Sequence, residues 1–362
     1  AGSNPVSHPI PSLCKAKPTY TVTTPREFLL EKLPTPSDFL PFEQFVEAAL
    51  YHPDFGYYSS TIKSVGRMGD FSTSTTIHPV LGQAMANWAV KAHKELFPEI
   101  ELSIIELGAG SGQLANTILE EIPETNYHIV ESSKPLRQQQ SRNINGRCQW
   151  HYTPTAALEA CAGEAILISN ELVDAFPCRR FEWDGHTWME IGLQRDGETL
   201  QETLRLPVEP YADSSMFDRP DPQKGQRIEV HESYFKWLQS WNKHWGKGAK
   251  LTIDYGDLAD LLYIRRPNGT IRAYRSQNRI EGSSIYHRMG DQDLTSDVNF
   301  TDLQNWSNKL GWEITSLETQ RDFVMRLLPS CKEDSVTLPA VEFILNPYGA
   351  GQAFKVLEAR KL

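Results

Sequence analysis

The stretch "IIELGAGSGQLANTILEEI", residues 104–122, carries the strongest chemical signal in the chain. An apolar run ends in Glu106. Gly108, Gly110 and Gly112 follow at alternate positions, and a helical pattern then begins. Glycine adopts positive φ without strain and lets backbone approach a ligand with no Cβ in the way. A glycine turn between a strand and a helix is therefore a nucleotide-holding device. A dinucleotide loop reads G-x-G-x-x-G, its third glycine one place later, so that a helix N-terminus faces a pyrophosphate. The E-x-G-x-G-x-G spacing here suits S-adenosylmethionine, which has no phosphate to cradle. Glu106 is placed to bind loop amides and to sit near the methionine ammonium.

Two further strand ends add to this signal. "YHIVES" ends in Glu131, where a carboxylate can accept hydrogen bonds from both hydroxyls of a ribose. A nicotinamide-dependent oxidoreductase needs the same acid, so that alternative is disfavoured only by the position of the third glycine. "AILISNELVDAFP" reaches Ser169, Asn170 and Glu171. Ligands of doubly wound sheets lie beyond the carboxyl ends of the strands. That places Asn170 against the cofactor and Glu171 toward a methyl acceptor. The bland reading of the pair is a helix N-cap followed by a first-turn acid. No N-P-P-[YFW] motif occurs, which argues against methylation of adenine N6 or glutamine.

The elements that must position these residues follow from periodicity. "LSIIEL", "NYHIVES", "CQWHY", "AILISNEL" and "GAKLTIDYG" read as strands, most of them separated by helical stretches. Such alternation predicts a mostly parallel sheet with helices on both faces. The expected fold class is α/β, a Rossmann-like class I methyltransferase sheet of seven strands, with the strand at 103–107 central and an inserted lid or side subdomain. "QAFKVLEARKL" is expected to add a last edge strand. Residues 1–25, with five prolines, read as an extended lead-in. Residues 26–100 read as a helical segment covering the cofactor, with helices in "PFEQFVEAALY" and over 78–97 around a long ordered loop. Residues 101–362 read as the methyltransferase domain, with insertions near 178–231 and 257–300. Asn268–Gly269 in the second insertion predicts a type I′ hairpin turn.

The formal charge of −10 makes nucleic acid an unlikely partner. Five widely spaced cysteines without a C-x-x-C argue against both a disulfide framework and a metal site, and for a reducing compartment. No apolar run is long enough to span a membrane. The expected compartment is a bacterial cytoplasm or, if a targeting segment was removed ahead of Ala1, the mitochondrial matrix.

The segments "HPDFGYY", "GDFSTS", "LGQAMANW", "ELGAGSGQL", "SNELVDAFP", "TIDYG", "NGTIRAYR" and "DLTSDVNF" occur in that order. In order and spacing the chain resembles the MidA family of S-adenosylmethionine-dependent methyltransferases, from about Pro41 to the C-terminus. The family's mitochondrial member is an assembly factor for respiratory complex I that makes symmetric dimethylarginine. The resemblance implies a protein substrate, conceivably a respiratory-complex subunit, and adds Asp70, Thr73 and Ser74 to the cofactor pocket. The chain departs from the family at Thr75–Thr76, where Pro-Glu is usual, and at Ala109 and Ser111 in the glycine loop. It departs again at Asp297 and Asn299, in place of His and Asp. These departures put the acceptor, more than the cofactor, in question. A methyltransferase-like assembly factor with little turnover stays open as a second reading.

Methyl transfer from a sulfonium needs an aligned nucleophile, exclusion of water and a proton acceptor. A guanidinium acceptor needs carboxylates that hold it bidentately. By strand-end position, those candidates are Glu171, Asp174 and Asp254. Trp237, Trp241 and Trp245 recur at helical spacing and read as core. Arg265, Arg266, Arg272, Arg275 and Arg279 crowd the second insertion and read as a solvated face balancing nearby acids.

Overall fold

The computed structural model describes residues 24–62, 74–144, 146, 148–208, 211–331 and 338–362. Seven strands build the main sheet: β1 Ser103–Leu107, β2 Asn126–Val130, β3 Cys148–His151, β4 Ile166–Asn170, β5 Gly248–Asp257, β6 Glu313–Thr319 and β7 Phe354–Lys361. Their spatial order is β6-β7-β5-β4-β1-β2-β3. β1 is central, as expected, and parallel to both neighbours; Ile105 sits opposite His128 of β2 and Leu167 of β4. An eighth strand, the two residues Val298–Asn299, pairs with the end of β5, one more than the seven expected.

The expectation that β7 lies at an edge is wrong. It runs between β5 and β6, antiparallel to both. Partners neutralise its charged residues inside the sheet: Lys355 lies 3.5 Å from Asp257, and Glu358 2.5 Å from Arg326.

Both faces of the sheet are covered, which is why its strands read as near-continuous apolar runs. Alternation sends Ile104, Ile129, Ile168 and Ile253 into one core, beneath helices Val80–Leu96, Gln113–Glu121 and Gln320–Leu327. Ile105, Leu107, Leu167 and Leu357 enter the other, with helices Glu232–Trp241 and Phe300–Lys309. Trp237, Trp241 and Trp245 are buried in that second core, and Trp241 and Trp245 pack on Trp312. They are core residues, as their spacing suggested.

A third cluster lies over the carboxyl ends of the strands. Helix Phe42–Tyr51 contributes Phe42, Phe45, Val46 and Leu50. It packs on an antiparallel sheet made of Leu40–Pro41, Arg179–Trp183, Trp188–Asp196, Thr199–Arg205 and Arg227–Val230. It also touches a three-stranded sheet of Arg272–Arg275, Asn278–Ile280 and Asp293–Thr295. The hairpin turn of this small sheet is not at Asn268–Gly269. It is at Ser276–Gln277, where φ of +47° and +64° give the two left-handed residues a type I′ turn requires. The glycine rule fails here because the flanking strands impose the conformation on residues that rarely choose it.

Arg180 ties these pieces together. Its guanidinium is buried, 2.7 Å from Glu202 and 3.3 Å from Glu229, and it donates to the Tyr286 hydroxyl at 3.1 Å. Glu229 also accepts from the amide and hydroxyl of Thr270. Burial alone would push the Glu202 carboxyl up, but Arg180, Tyr286 and Arg227 together hold it at about 2. Arg180→Met would leave Glu229 buried without its cation. We expect a loss of roughly 3–5 kcal/mol, read as a lower urea midpoint at unchanged slope; an unchanged midpoint would show that the pair does not hold the cap.

Candidate functional site

A cavity of about 910 Å³ opens where the cap meets the carboxyl ends of β1, β2, β4 and β5. The first wall is the glycine loop. Gly108, Gly110 and Gly112 have φ of +73°, +50° and +82°. Gly108 and Gly110 line the cavity. The left-handed φ of Gly108 is what requires glycine; a Cβ there would also meet Leu172 Cδ1 at 2.8 Å, an end of a side chain that can shift. Gly112 does not line the cavity. It starts helix Gln113–Glu121 from behind, and a Cβ there would meet Ile144 Cγ1 at 2.9 Å.

Glu106 lines the cavity floor but does not bind the loop amides, contrary to expectation. The Gly108 amide donates to the Val130 carbonyl of the adjacent strand β2 and the Gly112 amide to the Ala109 carbonyl within the turn, so both are already satisfied. Glu106 instead accepts from the Tyr127 hydroxyl at 2.8 Å, and burial pushes its carboxyl up to about 8. Glu131, at the end of β2, also reaches the cavity. It accepts from Ser133 N at 2.9 Å and Gln140 Nε2 at 3.1 Å, one bond to each oxygen. Each oxygen keeps a lone pair. Burial raises this carboxyl to about 7.

The opposite wall is acidic. Asn170 and Glu171 leave β4 at the cavity, and Glu171 holds a left-handed φ of +51°. Such strain in a residue with a Cβ persists only where the surroundings impose it. Glu171 Oε1 accepts from Ser74 N at 3.1 Å and Asn170 Nδ2 at 3.2 Å. Burial, and then the charge of Asp174, push it up to about 8. Asp174 Oδ2 accepts from Thr295 Oγ1 at 2.7 Å and from the Tyr255 hydroxyl. Asp174 Oδ1 and Asn170 Oδ1 are buried with no hydrogen-bond partner among the described residues. Asp293 completes the wall. It accepts from the Tyr58 hydroxyl at 2.9 Å, and burial and Asp174 push it up to about 8.

Asp254 stands apart from this wall. It is fully buried behind the cavity, and its Oδ2 accepts from the amides of Leu172, Val173 and Asp174 at 3.2, 2.9 and 3.3 Å. Alternation along β5 turns Tyr255 toward the cavity and Asp254 away from it. Asp254 therefore positions the 172–174 turn and cannot touch an acceptor. Ser74 meets the site through its amide, and Thr75 lines the cavity. Asp70 and Thr73 lie outside the described residues. Asp297 lines the cavity, 2.6 Å from Arg272, and Asn299 caps helix Phe300–Lys309.

Sequence reasoning missed Tyr51, Tyr58 and Asp293. Tyr51 and Tyr58 stack with centroids 5.6 Å apart, and Tyr51 donates to the Ala175 carbonyl. Tyr58 belongs to a π-helical turn, Tyr57–Thr61, a distortion found often at functional sites. The "FGYY" aromatics were the only available signal, since Asp293 arrives from a distant part of the chain.

The donor set fits S-adenosyl-L-methionine: glycine backbone at one wall, an acid at the end of the second strand, and unpartnered buried oxygens between them. Comparisons with known proteins agree. Residues 84–317 match a family model described as "Putative S-adenosyl-L-methionine-dependent methyltransferase". The chain is 24% identical over 357 residues to the Danio rerio protein named "Protein arginine methyltransferase NDUFAF7, mitochondrial", covering 86% of this chain and 81% of that one. It is 23% identical to the Caenorhabditis elegans homologue of the same name, covering 76% and 70%. Among solved structures, a COG1565 superfamily member from Burkholderia thailandensis, bound to S-adenosyl-homocysteine, shares the fold. Its TM-score is 0.75 at 24% identity, over 89% of this chain and 87% of that one. The family model spans more than half of the 362 residues, and the chain belongs to this family of S-adenosyl-L-methionine-dependent methyltransferases.

Proposed function

We propose that the chain methylates an arginine side chain of a protein. One observation carries this reading: Glu171, Asp174 and Asp293 converge on one cavity wall with no cation paired to Glu171, and with Asp174 Oδ1 buried and unpartnered among the described residues. Carboxyls that raise one another's pKa favour a guanidinium, which supplies both charge and several N–H donors. The names of the relatives point to the same acceptor, and their mitochondrial designation supports the matrix as the compartment. The MidA resemblance makes a respiratory-complex subunit the substrate to look for first.

In this reading the loop backbone at Gly108 and Gly110 lies against the adenosyl moiety, Glu131 accepts from the ribose hydroxyls, and Asn170 Oδ1 accepts from the methionine ammonium. Bound there, the sulfonium supplies an electrophilic methyl group. Asp174 Oδ1 and Glu171 hold the guanidinium and orient one nitrogen. The same carboxyl pair accepts the proton that nitrogen loses on methylation. The stacked Tyr51 and Tyr58 close the wall and keep water from the acceptor.

The direct test is labelled S-adenosyl-L-methionine incubated with host-cell lysate, followed by acid hydrolysis of the labelled protein. The label should appear in methylarginine. Label in another amino acid would replace the acceptor, and binding of S-adenosylhomocysteine without any labelling would favour the assembly-factor reading. Glu171→Gln should lower single-turnover transfer by roughly two orders of magnitude while cofactor affinity stays near wild type. Equal rates would reduce Glu171 to a structural acid.

Glu131→Ala should weaken S-adenosylmethionine and S-adenosylhomocysteine alike, by about 1–3 kcal/mol, as measured by calorimetry. A mutant that separates the two ligands would move Glu131 to the sulfur.

Asp293 gives a pH test in the free protein. Its folded pKa of about 8 lies above that of an exposed aspartate. The folded form therefore holds the proton more tightly, and the stability this contributes is complete in acid and lost as pH rises through about 8. Asp293→Asn removes that loss. It should raise the melting temperature at pH 9 by on the order of a few degrees more than at pH 5; equal shifts at both would contradict the protonation assigned here.

A further inference from the structure

The acidic wall lies deep, but the rim of the same cavity has the opposite sign. Arg265, Arg266 and Arg279 line it. Arg265 pairs with Asp257, which Lys355 also approaches, and Arg279 pairs with Glu281 at 2.5 Å. Outside the lining, Arg219 pairs with Asp260 of helix Ala259–Arg265. Arg266 is exposed and makes no ion pair among the described residues. The rim thus sets the three arginines Arg265, Arg266 and Arg279 against the two carboxylates Asp257 and Glu281, on a chain whose formal charge is −10. Apolar surface continues from it. Helix Ala259–Arg265 turns Leu262 toward the cavity and leaves Leu258, Leu261 and Ile264 open to solvent, Ile264 at 73% exposure. Leu261 and Ile264 on this short helix, with Leu258 at its N-cap, adjoin a basic rim, cost solvation when uncovered and mark a contact surface.

We infer that helix Ala259–Arg265 and the arginine rim dock the substrate polypeptide, and that they select an arginine flanked by aliphatic and acidic residues. This rests on the protein-arginine reading of the cavity. The geometry is continuous with the site: a side chain reaching the deep carboxyls carries its own backbone past Arg265, Arg266 and Ile264. Flanking aliphatic side chains cover Leu261 and Ile264. Flanking carboxylates meet Arg266, and compete for Arg279 with an exposed partner that holds it weakly. Basic flanks are repelled at this rim. Opposite charges at the two depths also fix direction, since the guanidinium is pushed from the rim and drawn to the floor.

The test is fluorescence anisotropy of labelled synthetic peptides on the full chain, saturated with S-adenosylhomocysteine. One peptide carries a central arginine between leucines and aspartates; a second carries lysines in place of the aspartates. The aspartate peptide should bind roughly five- to tenfold tighter, and the gap should narrow with added salt. Arg266→Glu should erase or invert the preference. Ile264→Ser should weaken both peptides while leaving S-adenosylhomocysteine binding and the melting temperature unchanged. Equal binding of the two peptides, binding of neither, or a preference that survives Arg266→Glu would each overturn the inference. A third peptide, with alanine for the central arginine, separates the two layers. If it binds as tightly as its arginine parent and the aspartate preference persists, the arginine reading fails and the docking surface stands.

Discussion

Four carboxyl groups meet at the carboxyl ends of β4 and β5, and the way each is satisfied decides what the site can do. Asp254 accepts three backbone amides of the 172–174 turn and thereby fixes where Asp174 stands. Glu171, Asp174 and Asp293 face the cavity instead, with fewer donors than a buried carboxylate needs. Burying a charge without a partner is expensive: Glu171 and Asp293 respond by holding protons near neutrality, and burial pushes the Asp174 carboxyl up as well, against the opposing pull of Tyr255, Thr295 and the Arg272 guanidinium. The free protein keeps this cost because the cap is fastened over the site by other contacts, chiefly the buried Arg180 pairs and the Phe42–Tyr51 helix. A functional site is where such unfavourable local arrangements are expected to survive.

The two walls of the cavity have different physical origins. In the proposed reading the cofactor wall joins the backbone of one local turn to the side chains of Glu131 and Asn170 at two strand ends. The acceptor wall is made of side chains drawn from β4, β5, the Tyr57–Thr61 turn and the small sheet of the cap. Cofactor binding and acceptor choice can therefore vary separately. The chain departs from the MidA pattern on both sides, at Ala109 and Ser111 in the glycine loop and at Thr75 and Asp297 on the other wall, while the three glycines of the loop are intact.

This division also explains what the sequence disclosed. The central strand, the glycine turn and Glu131 are local features, each readable from a window of a few residues. The parallel order of the sheet followed from the alternation of strands and helices. Asp254 was misplaced because strand-end position was used without the alternation that turns Tyr255, not Asp254, to the cavity. The inner position of β7 was not legible because it depends on distant partners, Asp257 and Arg326, that neutralise Lys355 and Glu358. Asp293 was invisible because no window links it to Asp174; only the folded cap brings them together. The hairpin at Ser276–Gln277 hid behind the stronger glycine signal at Gly269.

The central claim is that buried, partly protonated carboxyls await a cationic acceptor. It is tested most directly by calorimetry at pH 7, titrating the peptide that bears the methylated arginine into protein saturated with S-adenosylhomocysteine. Two buffers of different ionisation enthalpy are compared. A guanidinium lowers the pKa of each carboxyl it pairs with, so Glu171 and Asp293, both raised to about 8, should release protons on binding. The observed heats should then differ between buffers in the sense of proton release. Identical heats in both buffers would mean that these carboxyls do not change ionisation, and would contradict the account.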